Sequence, residues 1–179
     1  MNSEYYLLSA IGINPKPSKY SLDDLKSDSL SSFSSIALSK LLGKKLDKKP
    51  SKVFLLVTKD AKNSSFEEFK KEAEGIDIDV CSIDVPNGIS DQEVQIIVQE
   101  ILKALPENCN LILDATNGLR HFPFLLFISA LYLRSFRKIT IDGIYYGAWE
   151  LRKNDQAPFI NFNFLLGMMD WYHAVSNFS

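Results

Sequence analysis

Short apolar segments of strand length alternate with longer segments of helical spacing along most of the chain. The apolar run at residues 5–11 is typical of a strand buried on both faces. Residues 76–83 alternate apolar and polar positions, which predicts a strand near a sheet edge. The same pattern predicts further strands at residues 53–58, 111–113, 139–146 and 159–162.

Helical spacing predicts five helices, the first of which ends at Gly43. Polar residues 18–32 predict an exposed loop, and the lysine-rich residues 44–49 favour a solvated linker over a phosphate-binding patch. The predicted helices cover residues 33–42, 64–74, 91–105, 122–136 and 164–178. Because strands and helices alternate, we expect an α/β domain of Rossmann-like, three-layer architecture, with a mainly parallel central sheet and helices on both faces.

Ligands of such sheets bind beyond the carboxyl ends of the strands, near a topological switch point. Five loops follow predicted strands in this chain, namely residues 9–14, 58–60, 86–88, 114–121 and 147–150. We therefore expect the functional site among these loops.

Composition limits the class of function. The chain has 179 residues, which fits one domain, and a net charge of -2 gives no long-range attraction for duplex nucleic acid. A small anion held by local backbone groups needs no such charge.

Cys81 and Cys109 have neither disulfide-framework nor metal-site spacing, so we expect reduced thiols. The longest apolar stretch, residues 122–133, is shorter than the roughly 20 residues of a spanning helix. We expect a soluble, cytoplasmic protein with no membrane partner.

A predicted strand–turn–helix junction carries the most specific pattern. The strand ends at Asp114, Gly118 permits a close backbone approach, and Pro123 suits the first turn of a helix. Free N–H groups and the helix dipole favour an anion there, and Arg120 adds a forked donor suited to phosphate. The same residues also fit a turn that Asp114 or Thr116 caps, with Arg120 in a surface ion pair. The junction is neither a Walker loop nor a full GxGxxG fingerprint.

Three segments resemble one protein family. The run DATNGLRHFP resembles the DxTHGxRxxP signature of CRISPR-associated Rossmann-fold sensor domains, called CARF domains. ITIDGIYYGAWE resembles that family's strand ending in a YYGA-type turn, and YYLLSAIGIN resembles its first strand and ligand-binding loop. The resemblance covers nearly the whole chain in the right order. Asn117 stands where the family has histidine; it can exchange hydrogen bonds with a ligand but cannot act as an acid or base near neutral pH.

The resemblance implies a homodimer that binds a cyclic oligoadenylate across its two-fold axis. It favours cyclic tetra-adenylate, with cyclic hexa-adenylate next, and implies that binding switches an attached effector, often a ribonuclease, in type III CRISPR antiviral defence. We expect a sensor domain at residues 1–163 and a connecting helix at residues 164–179 that leads to an effector domain, so that the natural gene product is longer. No catalytic residue, metal or cofactor is expected.

The ligand-binding residues that this resemblance implies belong to the first-strand loop and the motif. Thr58, Lys59 and Asn87 are added because they lie in the other loops that follow strands. The full set is Ser9, Ala10, Ile11, Gly12, Ile13, Asn14, Thr58, Lys59, Asn87, Asp114, Thr116, Asn117, Gly118, Leu119, Arg120 and His121. Of these, His121 is expected to be a hydrogen-bonding group at the start of a helix, and His173, outside the set, to be structural.

Two other functions stay open. One is a metal-independent ring nuclease, in which Lys59, Arg120 and N–H groups near Gly118 stabilise the charge that develops as a ribose 2′-hydroxyl attacks its neighbouring phosphate. The other is a nucleotide- or cofactor-binding α/β domain unrelated to CRISPR; the missing GxGxxG fingerprint counts against a dinucleotide.

Overall fold

A mixed sheet forms the centre of the protein in the computed structural model, which describes residues 4–176 apart from the side chains of His173 and Ser176. Within this range the sheet has eight strands. They are β1 (Tyr5–Ala10), β2 (Lys19–Leu22), β3 (Leu25–Lys26), β4 (Lys52–Val57), β5 (Asp79–Asp84), β6 (Asn110–Asp114), β7 (Thr140–Gly147) and β8 (Gln156–Asn161). Their order across the sheet is β3-β2-β8-β7-β6-β1-β4-β5.

Five neighbouring strands, β7-β6-β1-β4-β5, run parallel to one another. The chain passes from β1 to β4 and β5 on one side, and then crosses to β6 and β7 on the other. The carboxyl ends of β1 and β6 therefore meet at the topological switch point. The mainly parallel sheet is confirmed, as is the position of β5 at an edge; β8 pairs antiparallel with β7.

Helices cover both faces of the sheet. The helices are α1 (Ser34–Leu46), α2 (Lys59–Ser64), α3 (Phe66–Glu74), α4 (Asp91–Ala104), α5 (Phe122–Phe136) and α6 (Asn163–Ser176), with a short 3-10 helix at Trp149–Leu151. Adjacent residues of β1 point to opposite faces: Leu7 packs in a cluster with α1 and α3, and Leu8 in a cluster with α4 and α5. This arrangement confirms the three-layer α/β fold. No helix in residues 4–176 is long and apolar enough to cross a membrane.

The prediction of an exposed loop at residues 18–32 is wrong. These residues form the β2–β3 hairpin, and β2 pairs in parallel with β8. Tyr20 is buried and stacks on Phe159 with 5.0 Å between the ring centres. The polar sequence therefore forms a strand because a partner far along the chain provides hydrogen bonds and an apolar surface, which local propensity does not reveal.

Two helix predictions differ from the structure. Helix α1 passes through Gly43 and ends at Leu46, because the next residue, Asp47, has a left-handed φ of 54°; part of the expected linker is therefore helical. The expected helix at residues 64–74 is two helices that break at Ser65, and the first begins early because the Thr58 hydroxyl accepts a hydrogen bond from the N–H of Ala61. The expected end of the last helix at Phe178 lies outside the described residues, as does the side chain of His173.

Candidate functional site

The Asp114 carboxyl group lies at the end of β6 and is completely buried. It accepts hydrogen bonds from the hydroxyls of Ser9 at 3.0 Å and Ser34 at 2.6 Å, from the N–H of Thr116 at 3.1 Å, and from the Thr116 hydroxyl. Burial raises the pKa of Asp114, and these hydrogen bonds act against that rise. Asp114 thus faces the protein interior, where it joins β1, α1 and its own turn.

Further hydrogen bonds extend this cluster. The Thr116 hydroxyl accepts from the N–H of Gly147 at 2.7 Å, which connects the turn to the end of β7. The Asn117 amide donates to the Ser34 hydroxyl at 2.7 Å. The ends of three parallel strands and the start of α1 are consequently held together by one polar network, an arrangement that positions the surrounding loops precisely.

Gly118 lets two loops approach each other. Its φ is +98°, and a Cβ there would lie 2.8 Å from the Cβ of Ala10 and 3.1 Å from the Phe122 ring. Any other residue would meet both backbone strain and a steric clash. From the opposite side, a Cβ on Gly12 would lie 3.9 Å from the backbone nitrogen of Gly118, and the Gly12 carbonyl accepts from Ser65 at 2.7 Å. The loops after β1 and β6 therefore meet through nearly bare backbone.

A pocket of about 400 Å³ opens beyond these strand ends. Larger cavities, of about 720, 570, 550 and 480 Å³, lie elsewhere in the described chain. The smaller pocket is the better candidate because it lies at the switch point and is lined by glycine backbone. It is lined by Gly12, Ile13, Asn14, Pro15, Lys16, Tyr20, Ser32, Phe33, Thr116, Asn117, Gly118, Tyr146, Gly147, Trp149 and Glu150.

The structure divides the sixteen expected site residues into three groups. Six line the pocket: Gly12, Ile13, Asn14, Thr116, Asn117 and Gly118. Four are buried and support it: Ser9, Ala10, Ile11 and Asp114. The other six are not among the lining residues: Thr58, Lys59, Asn87, Leu119, Arg120 and His121.

Two of the six expected residues that do not line the pocket contact each other. The His121 imidazole donates to the carbonyl of Asn87 at 2.9 Å and packs edge-on against Phe122. The imidazole also lies against Gly88, whose φ is +76°. This contact joins the loop after β5 to the start of α5, which agrees with a hydrogen-bonding role for His121 at the helix start.

Arg120 is exposed and forms no hydrogen bond or ion pair with the other residues described between 4 and 176. The surface ion pair that the sequence left open for it is therefore not formed. Thr58, in contrast, is buried, and its side chain caps α2. The Arg120 guanidinium is therefore open to solvent, where an anion can reach it, whereas the Thr58 side chain is not.

Nine residues that line the pocket were not among the sixteen expected: Pro15, Lys16, Tyr20, Ser32, Phe33, Tyr146, Gly147, Trp149 and Glu150. Trp149 and Glu150 lie in the loop after β7, so their position after a parallel strand was the available signal. Tyr20 gave no signal, because its strand was expected to be a loop. Burial, together with the charge of Asp114, raises the pKa of Tyr20 to about 12.

The fold and the pocket define the class of this protein as an α/β domain with a pocket at a topological switch point. No protein-family model and no curated protein matches the chain. Within the described residues, no group of three or more His, Cys, Asp or Glu side chains is placed to hold a metal ion.

Proposed function

We propose that this protein is a cytoplasmic CARF-type sensor domain that binds a cyclic oligoadenylate and thereby switches an attached effector in type III CRISPR defence. One observation carries the proposal. The two segments that resemble the family's ligand-binding elements, the loop Gly12–Asn14 and the motif Thr116–Gly118, lie far apart in sequence but line one pocket. Cyclic tetra-adenylate is the preferred ligand and cyclic hexa-adenylate the next.

The chemistry of the pocket supports an anionic ligand. The missing side chain of Gly12 leaves open space, with only the backbone nitrogen of Gly118 at 3.9 Å from a Cβ position there, so phosphate oxygens can approach the backbone. Lys16 lines the pocket, Arg120 is unpaired and exposed, and the N-terminus of α5 begins directly after the motif. Cations and a helix N-terminus both favour phosphate, and guanidinium binds it through two parallel hydrogen bonds.

A stripe of apolar side chains on α5 supports the homodimer. Phe124, Ile128, Tyr132 and Phe136 recur every fourth residue, so they share one helix face, and between 47% and 73% of each is exposed. Exposed apolar patches of this kind mark protein interfaces. A two-fold axis running along α5 would place both copies of the motif on the same side of the dimer, where a symmetric ring can contact the two equally.

The last helix supports the connection to an effector. Helix α6 exposes Phe164, Met168, Trp171, Tyr172 and Val175, again on one broad face. We propose that residues 1–163 form the sensor and that residues 164–179 lead to the effector domain.

A metal-independent ring nuclease is the alternative function. It is favoured by one pair of pocket residues, Lys16 and Glu150, which place a cation and a carboxylate near the expected phosphates. In this reaction a ribose 2′-hydroxyl attacks the adjacent phosphorus and loses its proton. The 5′-oxygen leaves and takes up a proton, so that the products are a 2′,3′-cyclic phosphate and a free 5′-hydroxyl.

Thermal unfolding in the presence of candidate ligands tests the proposal. We expect the Tm to rise with cyclic tetra-adenylate or cyclic hexa-adenylate and to rise less with NAD and ATP at the same concentration, because a ligand that binds only the folded state stabilises it according to its affinity. A rise with NAD or ATP alone would contradict the proposal and favour an unrelated nucleotide-binding domain. Recovery of intact rings after long incubation supports the sensor, whereas linear products ending in a 2′,3′-cyclic phosphate support the nuclease.

A further inference from the structure

The wall of the pocket next to β7 presents an indole ring. Trp149 begins the short 3-10 helix after β7, lines the pocket and is 40% exposed. The guanidinium carbon of Arg152 lies 3.9 Å from the centre of the indole ring, and Arg152 also donates to the Trp149 carbonyl at 3.4 Å. A cation over one face of an indole holds the ring in place and leaves the opposite face for another flat group.

This indole is held at a defined position relative to the motif. The N–H of Ala148 donates to the carbonyl of Pro158 at 2.9 Å, and Ala148 is buried. One residue earlier, the N–H of Gly147 donates to the Thr116 hydroxyl, which belongs to the Asp114 network. Only Ala148 thus separates Trp149 from Gly147 and the polar network that positions Asn117 and Gly118.

The neighbouring carboxylate strengthens the same wall. Glu150 lines the pocket, and burial followed by the Glu150 charge raises the pKa of Tyr146. The wall is therefore made of an aromatic ring, its stacked cation and the side chains of Tyr146 and Glu150. Phosphates do not stack on such a wall, but the flat face of a nucleobase does.

We infer that Trp149 is the base platform of this site: one nucleobase of the ligand stacks on the indole while the attached phosphate lies over Gly12 and Gly118. The inference rests on the proposed function, since it assumes a nucleotide ligand. Arg152 supports the platform from behind, and its positive charge also favours the phosphates nearby. Stacking recognises the base by its flat face, so the platform contributes to affinity for nucleotides in general, and the ring size must be selected elsewhere.

Fluorescence of a single tryptophan tests this inference, because the chain has two tryptophans, Trp149 and Trp171. The Trp171→Phe variant leaves Trp149 as the only indole. We expect cyclic tetra-adenylate and, at higher concentration, AMP to quench its emission, and ribose 5-phosphate to leave it unchanged. The matched Trp149→Phe variant, which keeps Trp171, should show no quenching with any of the three probes.

Binding of cyclic tetra-adenylate to position-149 variants gives the second readout. Trp149→Ala should weaken binding by about tenfold to a hundredfold, the usual range for loss of one stacked base, and Trp149→Phe should retain most of the affinity. Wild-type affinity in Trp149→Ala, together with unquenched emission of Trp149 in the ligand-bound Trp171→Phe variant, would overturn the platform and leave the proposed function standing. Failure of the wild type to bind the ring would refute the proposed function; AMP quenching of Trp149 would then still support the platform, and no quenching would overturn it.

Discussion

The Asp114 carboxylate accepts a hydrogen bond of 3.0 Å from the hydroxyl of Ser9, a residue 105 positions earlier in the chain. This bond joins the carboxyl ends of β6 and β1, the two strands on either side of the switch point. The loops that line the pocket continue from these two strand ends. A single buried acid thus holds the loops together without being exposed to the ligand itself.

Asn in place of Asp114 should change how stability depends on pH. Burial holds the pKa of the folded carboxyl above its ordinary value of 3.8, so the folded state favours the protonated acid. The contribution of Asp114 to the free energy of unfolding is then fully present below pH 3.8. It is lost as the pH rises through the pKa of the folded state. We expect Asp114→Asn to lower the free energy of unfolding by about 1–3 kcal/mol in acid and by less at neutral pH.

Urea denaturation of the wild type and Asp114→Asn over a pH series measures this difference. Asp79→Asn is the control, because Asp79 is exposed at the start of the edge strand β5. A stability difference that grows as the pH rises would contradict the predicted sign.

Alanine at position 118 should cost both stability and binding. The new Cβ would lie 2.8 Å from that of Ala10, at a backbone φ of +98°. We expect Gly118→Ala to lower the free energy of unfolding by about 1–3 kcal/mol and to abolish measurable ligand binding. Gly167→Ala is a matched control in α6, where nothing lies within 4 Å of the new Cβ, and it should raise stability by up to about 1 kcal/mol. Equal effects of the two substitutions in denaturation experiments would contradict the steric argument.

Removal of the Arg120 guanidinium should weaken ligand binding and leave the fold intact. The side chain is exposed and unpaired among residues 4–176, so the folded protein alone does not need it. Loss of a charged hydrogen bond to phosphate corresponds to about 1.5–3 kcal/mol, or roughly tenfold to 150-fold in Kd. Arg120→Lys should recover only part of the affinity, because lysine lacks the planar fork.

Calorimetric titration with cyclic tetra-adenylate measures this effect, with Lys71→Ala as a control on an exposed part of α3. Similar Kd values for the wild type and Arg120→Ala would remove Arg120 from the site.

A charge in the middle of the α5 stripe should prevent dimer formation. Ile128 is 56% exposed, so glutamate there is tolerated by the monomer but would be buried in the proposed interface. We expect Ile128→Glu to sediment as a monomer with an almost unchanged Tm. Leu30→Glu, a substitution at an exposed leucine outside the α5 stripe, should leave the dimer intact. A wild-type protein that is already monomeric with the ring bound would contradict this interface.

Local sequence patterns were sufficient for the central part of the fold. Helix α5 has the predicted bounds, Phe122–Phe136, because its apolar spacing, Pro123 and the preceding glycine turn all act locally. The β2–β3 hairpin was missed, since the register that pairs Lys19 with Gln156 depends on two segments at opposite ends of the chain. Hydrophobic pattern thus predicts an element well when its own residues determine it, and poorly when a distant partner does.

The candidate site shows the same division. Gly118 was found because a glycine in a strand–turn–helix junction has a local backbone reason, and Gly12 because its segment resembles a family loop. Tyr20 and Trp149 enter the pocket only through pairing of the hairpin and through the path of the loop after β7, neither of which a residue type reveals. Asp114 was expected to contact the ligand, but its burial and four hydrogen bonds are properties of the folded network.

Calorimetric titration of the wild-type protein with cyclic tetra-adenylate tests the central claim most directly. The account predicts saturable binding with one ring for every two chains, since two equal pockets face one symmetric ligand. It also predicts that Gly118→Ala shows no binding heat under the same conditions. A stoichiometry of one ring per chain, or no binding of either cyclic tetra-adenylate or cyclic hexa-adenylate, would contradict it.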